Sequence, residues 1–147
     1  MRILGIDYGD TRIGIAISDP FGWTAQALET IEKKSKKEAI ERIVSIINEF
    51  DVEKVVLGFP KNMNGTLGPR AEKTNKFQTA LESCLSDTLF NKKPNCKTEV
   101  VKWDERLTTV SANRAMHEMN VKTSKKKGIA DQISAVYILQ GYLDSKA

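Results

Sequence analysis

Three acids stand where chemistry could be done. Asp7 closes a short apolar run, Ile3, Leu4 and Ile6, and in α/β sheets ligands collect at the C-terminal ends of strands. Glu105 follows a second such run, Val100, Val101 and Trp103, again just past its end. Asp131 lies among apolar residues at the start of the last helical segment, where an acid is costly unless it is paired or binds a metal. Such all-oxygen ligands select Mg²⁺ or Mn²⁺ and leave room for waters and phosphate oxygens. Two ions about 3.5–4 Å apart would activate a water and stabilise the leaving oxygen in phosphodiester hydrolysis. Taken singly, each acid also reads as a turn residue, a cap or an exposed charge.

The basic residues fit the same chemistry. Lys61, Asn62 and Arg70 flank a long Gly/Asn/Pro loop, Arg106 abuts Glu105, and Lys125 and Lys126 precede the segment that carries Asp131. With Arg12 they are the candidates for neutralising phosphates of a nucleic acid, although solvated lysines are the commoner reading of each one. Lys33, Lys34, Lys36 and Lys37 are offset by Glu32, Glu38 and Glu41 and read as a solvated face.

The elements that must position these groups follow from periodicity. Residues 2–7 and 12–18 read as a β-hairpin around the turn composition Tyr8-Gly9-Asp10-Thr11. In the second strand Ile13, Ile15 and Ile17 alternate with Gly14, Ala16 and Ser18, so something packs closely on the small-residue face. Residues 23–31 read as a third strand. Ser35 and Glu38 form a capping box that opens a helix with Ile40, Ile43, Val44 and Ile47 on one face. Residues 52–59 read as a fully buried strand. Pro69 suits the first position of a second helix, with Phe77, Leu81, Cys84 and Leu85 on its stripe. Residues 86–97 read as a polar connection and 98–103 as a further strand. Thr108 or Thr109 caps a third helix, and residues 120–128 read as a basic loop. The last helix runs from about 129 to 143, with Ile129, Ile133, Val136 and Tyr137 as its apolar stripe. The order β-β-β-α-β-α-β-α-α predicts a mixed five-stranded sheet with helices on both faces.

Composition excludes several alternatives. The 147 residues, 40% apolar and 29% charged, fit one globular domain over 1–147. The net charge of +4 permits a polyanionic partner. Two cysteines, Cys84 and Cys96, and one histidine, His117, cannot assemble a Cys/His zinc site. His117 reads as a helix surface residue and the cysteines as reduced thiols. No signal peptide or apolar stretch of about 20 residues is seen, so a cytoplasmic protein without membrane contact is expected.

Several motifs together resemble a known family. They are Gly5-Ile6-Asp7-Tyr8-Gly9 with Arg12-Ile13-Gly14-Ile15-Ala16 and Ser18-Asp19; Gly58-Phe59-Pro60 with Asn64-Gly65-Thr66 and Pro69-Arg70-Ala71-Glu72; Trp103-Asp104-Glu105-Arg106-Leu107-Thr108-Thr109; and Asp131-Gln132-Ile133-Ser134-Ala135 with Ile138-Leu139-Gln140-Gly141-Tyr142-Leu143. The chain resembles the YqgF proteins, RNase H-like proteins described as Holliday junction resolvases and as pre-16S rRNA nucleases. The resemblance implies an RNase H-like α/β fold with sheet order 3-2-1-4-5. It implies a cytoplasmic bacterial protein acting on nucleic acid, with Asp7, Glu105 and Asp131 as the metal-binding acids. One departure stands out. Related resolvases carry the second acid after the fourth strand, where this chain reads Gly58-Phe59-Pro60-Lys61. Glu105 follows the fifth strand instead, roughly 10 Å from the first, which leaves Asp104 and Asp10 as alternatives.

Within the nuclease reading, the 5′ region of precursor 16S rRNA and the four-way DNA junction compete as substrates. A junction resolvase cutting two strands symmetrically would favour a homodimer. Residues 5–11 also resemble the first phosphate loop of the actin and sugar-kinase fold, but that fold needs two such domains around its nucleotide. A non-catalytic nucleic-acid-binding factor in ribosome maturation is the third reading.

Overall fold

A computed structural model describes residues 2–59, 68–86, 98–104 and 123–146. The elements in chain order are β1 (Arg2–Tyr8), β2 (Arg12–Ser18), β3 (Ala25–Glu32), α1 (Lys36–Glu49), β4 (Val52–Phe59), α2 (Pro69–Ser86), β5 (Glu99–Asp104) and α3 (Thr123–Lys146). The strands form one sheet of order β3-β2-β1-β4-β5. β1 pairs antiparallel with β2 and β2 with β3, whereas β4 runs parallel to both β1 and β5. This is the mixed sheet that the sequence pattern predicts, in the strand order that the family resemblance implies. The expected helix opening at Thr108 or Thr109, the loop after β4, Cys96 and His117 lie outside the described residues, as do positions 87–97 of the polar connection.

The β1–β2 turn closes through the Gly9 N–H, which donates to the Arg12 carbonyl at 3.0 Å. A Cβ at Gly9 would stand 2.5 Å from that carbonyl oxygen, so the turn needs glycine there. β4 is apolar on both faces because it is covered on both. On one face, α1 and α2 bury Ile40, Ile43, Ile47, Phe77 and Leu81 against Leu4, Ile6, Ile13, Ile15 and Leu57. On the other, α3 buries Ala135, Ile138, Leu139, Tyr142 and Leu143 against Ile3, Ala16 and Val56. Ser35 caps α1 as expected: its side chain accepts the Glu38 N–H at 3.1 Å. α2 opens on Pro69, whose missing N–H costs nothing in the first turn.

Four expectations need correction. The third strand begins at Ala25 rather than residue 23, because Asp19 gathers the N–H groups of Trp23 and Thr24 into a turn. The last helix begins at Thr123, inside the stretch read as a basic loop. Lysine is a good helix former, and a run of lysines with a single glycine does not break a helix. The buried stripe of α3 is Ala135, Ile138, Leu139, Tyr142 and Leu143, while Ile129, Ile133, Val136 and Tyr137 are only partly covered. The small side chain of Ala135 and the bare backbone of Gly5 let that side of the helix settle onto the sheet. Lys33 is not simply solvated: its ammonium donates to the Tyr8 hydroxyl at 3.0 Å and lies 4.4 Å from the Tyr8 ring centre.

Candidate active site

Asp7 sits near the C-terminal end of the central strand, and its register partner across the hairpin is Gly14. Directly opposed residues of an antiparallel pair share a face, so the Asp7 carboxylate and the bare side of Gly14 look the same way. That face receives α3. A Cβ at Gly14 would collide with the backbone carbonyl of Asp131, and one at Gly5 would come within 2.7 Å of the Leu139 Cβ and 2.9 Å of the Ala135 carbonyl oxygen. The helix backbone therefore rests on the strand backbone at both glycines. The small-residue face read from the sequence is the seat of α3. Gln132 fixes the contact by donating to the Thr30 hydroxyl at 3.0 Å, and Thr30 is the β3 residue paired with Gly14.

Asp7 and Asp131 are thus brought together from residues far apart in the chain. Arg12, on the same face two residues before Gly14, donates from Nε to Asp131 Oδ2 at 2.9 Å. The Asp131 side chain is 23% exposed. Its burial raises the carboxyl above its ordinary value, the Arg12 hydrogen bond opposes that, and the nearby Asp7 charge adds to the rise. Two carboxylates that repel one another on a partly dry face are oxygen donors of the kind that could hold a divalent cation. A cation there would relieve both the desolvation and the repulsion. Among the described residues the acids number two at this point, and they form no group of three.

The other sequence candidates divide. Along β5, Val100 packs into the α1/α2 core and Val101 and Trp103 into the α3 core. Asp104 has the parity of Val100 and so projects from the sheet face opposite Asp7. Asp10, in the hairpin turn, is 65% exposed and faces Lys73 Nζ at 3.4 Å. Neither alternative acid joins the pair. Arg70 is exposed in the first turn of α2. Glu105, Arg106, Lys61 and Asn62 lie outside the described residues, as do the side chains of Lys125 and Lys126, whose backbone belongs to α3. Arg12, a phosphate-contact candidate from its sequence position, is also the partner of Asp131, a bond that the sequence does not announce. The available signal was spacing: Arg12 and Gly14 share a strand face, so whatever packs on one is within reach of the other.

The sheet order and the helices on both faces define an RNase H-like α/β fold. Thermus thermophilus RuvC, solved in complex with a Holliday junction substrate, superposes with a TM-score of 0.60 at 14% identity, covering 99% of this chain and 95% of that one. The fowlpox virus resolvase, solved with Holliday junction DNA, gives 0.55 at 14% identity, covering 99% of both chains. At such identities the likeness is one of fold. Sequence carries the finer assignment. The family described as "RuvX: Holliday junction resolvase" matches residues 1–145. A protein of Acetivibrio thermocellus named "Putative pre-16S rRNA nuclease" is 60% identical over 147 residues, spanning 99% of this chain and 97% of its own. One of the same name from Ruminiclostridium cellulolyticum is 58% identical over 145 residues, spanning 98% and 94%. The chain belongs to the RuvX (YqgF) family. Among the described residues no helix is long and apolar enough to cross a membrane.

Proposed function

We propose that the chain is a single RNase H-like domain acting in the cytoplasm as a metal-dependent endonuclease on structured nucleic acid, with the 5′ region of precursor 16S rRNA as its substrate. The observation that carries the reading is the meeting of Asp7 and Asp131 on one sheet face, made possible by Gly14. The relatives' names support the choice of RNA. Asp7 and Asp131 would hold Mg²⁺ or Mn²⁺, with Glu105, just beyond β5, as the third ligand. The bound metal would supply a water activated at neutral pH and a counter-charge for the leaving oxygen. Water attacks phosphorus, one of its two bridging P–O bonds breaks, and the leaving oxygen takes a proton.

The residues of the chain do the positioning. Asp7 is held by the central strand and Asp131 by a helix seated on that strand, so their separation is set by backbone packing rather than by side-chain choice. Arg12 supplies the positive charge that holds Asp131 in place and, with Arg70, Lys61, Asn62, Arg106, Lys125 and Lys126, would meet substrate phosphates. A four-way DNA junction is the second reading, favoured by the family description. It would call for a homodimer cutting two strands.

The test is cleavage of a labelled 16S 5′-leader precursor and of a labelled four-way junction. Each is run with Mg²⁺ or Mn²⁺, beside identically purified Asp7→Asn protein, and Mn²⁺ binding is measured by calorimetry on both proteins. Metal-dependent cutting of the RNA, reduced about 10²-fold or more in the variant together with weaker Mn²⁺ binding, is the expected result. Preferential cutting of the junction transfers the function to DNA. Equal cutting by the variant, or none by either protein, leaves the chain as a binding factor in ribosome maturation.

A further inference from the structure

On the same face of the sheet as the acids, but at its other end, lies a concavity of about 590 Å³. It sits between the β2–β3 turn, the start of β4 and the last turns of α3, within the size range of roughly 300–1,000 Å³ typical of ligand sites. Phe21 and Trp23 line it and are each 75% exposed, the large apolar side chains left in water among the described residues. Their ring centres are 5.6 Å apart and their planes inclined by 36°. Across from them the Tyr142 ring is flanked by two ammonium groups. Lys54 Nζ donates to the Tyr142 hydroxyl at 3.0 Å, and Lys146 Nζ lies 5.5 Å from the ring centre.

The turn that presents the aromatics is rigid. Asp19 Oδ1 accepts the N–H groups of Trp23 at 2.7 Å and Thr24 at 2.9 Å, and Oδ2 accepts that of Phe21 at 3.3 Å. The Asp19 N–H in turn donates to the Thr24 carbonyl at 3.1 Å. Gly22 takes a φ of 73°, which a side chain would disfavour. Gln140 of α3 fastens the turn to the helix: it accepts the Ala25 N–H at 2.9 Å and donates to the Trp23 carbonyl at 3.2 Å. A backbone held this firmly has already met the backbone share of the cost of ordering such a surface, which favours binding there.

We propose that this is a stacking site for an unpaired nucleotide, with a base on Trp23 and Phe21 and the adjoining phosphate toward Lys146 and Lys54. Aromatic faces take any base, and cations beside them track the backbone. Among the described residues the one acid lining the concavity, Asp144, is engaged by the Gln140 amide at 2.9 Å. A second copy of the chain fits less well: stable interfaces use about 20–30 residues a side, and among the described residues the exposed large apolar ones number two. Ile3, which lines the concavity, is about 13 Å along β1 from Asp7. The site therefore grips a single-stranded stretch flanking the bond to be cut rather than the scissile nucleotide. This inference rests on the nuclease reading for its choice of polymer, but its measurement needs no cleavage.

The experiment titrates full-length Asp7→Asn protein with an RNA octamer and with the same sequence as a duplex, following tryptophan fluorescence, and repeats this after adding Trp23→Ala, Phe21→Ala or Lys146→Ala. Saturable quenching by the single strand is expected, with weaker quenching by the duplex. Trp23→Ala should abolish the quenching that Trp103 does not contribute, and by fluorescence anisotropy of a labelled octamer should bind about 10-fold more weakly. Phe21→Ala should weaken binding by a similar factor, and Lys146→Ala should flatten its salt dependence. Unchanged octamer affinity in Trp23→Ala, or no quenching at all, overturns the site. So does a dimer in sedimentation that Trp23→Ala dissolves, which would give the patch to a second copy. Absence of cleavage by the wild type with quenching intact would overturn the nuclease and leave the stacking site standing.

Discussion

Gly14→Ala tests the seat of α3 directly. The substitution adds one methyl group to a strand position where alanine has no backbone difficulty and gains about 0.5–1 kcal/mol over glycine, so any loss of stability is steric. The methyl would collide with the Asp131 carbonyl, which cannot rotate away as a side-chain tip could. Helix α3 must retreat by about an ångström or more, or β2 must bend. Overpacking of this kind costs about 1–3 kcal/mol. For a chain of 147 residues, at about 2–4 °C per kcal/mol, the melting temperature should fall by roughly 2–12 °C. The same retreat carries Asp131 away from Asp7, and an ångström of misplacement in a catalytic constellation costs about 10²-fold in rate. Gly141→Ala is the control. There the nearest atoms are side-chain atoms, the edge of the Trp103 ring at 3.2 Å, so a far smaller shift suffices, and alanine favours the helix by about 0.5–1 kcal/mol. Thermal melts and the RNA cleavage assay should separate the two variants cleanly. A Gly14→Ala protein that melts within a degree of wild type and cuts at the wild-type rate would refute both the close seat of α3 and the pairing of the acids that depends on it.

Asp131→Asn should melt higher than wild type at pH 7. Burial raises the carboxyl of Asp131 and the Asp7 charge adds to this, against the Arg12 bond, so the protonated form favours the fold. That stability is full below the unfolded value near 3.8 and is lost as pH rises through the raised folded value. The advantage of asparagine, which stays neutral, should therefore shrink as melts are repeated toward pH 4, and a less stable variant at pH 7 would contradict the electrostatics. Ser35→Ala removes the acceptor of the Glu38 N–H and should cost about 1 kcal/mol in urea denaturation; no change in midpoint would mean the cap is not formed. Arg70→Ala, at an exposed position of α2, should lower the slope of log affinity against log salt for precursor RNA by about 1 if it meets a phosphate, whereas an unchanged slope returns it to the solvent.

Much of the sheet was legible because strand signals here are local. The alternation of Ile13, Ile15 and Ile17 with small residues, and the unbroken apolar run of β4, each encode one strand and its burial. The bounds of β2 and β4 match the sequence reading residue for residue. The N-terminus of α3 was not legible, because a lysine run carries the same composition in a solvated loop and on a solvated helix. Nor was the start of β3, where a single side chain, Asp19, competes with the sheet for backbone N–H groups. The buried stripe of α3 is hidden from the sequence for a related reason. Apolar periodicity marks which face could be buried, but backbone contact at Gly5 and Gly14 decides which residues come closest.

Asp7 could be singled out by its place at the end of a strand, a local property. Asp131 could be suspected only because an acid among apolar residues is expensive. What joins them is neither acid but Gly14, which pairs with one and is covered by the backbone of the other. Arg12 then sits where it must, since the strand parity that bares Gly14 to the helix also turns Arg12 toward it, 2.9 Å from the Asp131 carboxylate. A basic residue at that position offsets part of the repulsion between two carboxylates held on one partly buried face. The contact that eases this repulsion, Arg12 to Asp131, is also one that a substrate phosphate would meet.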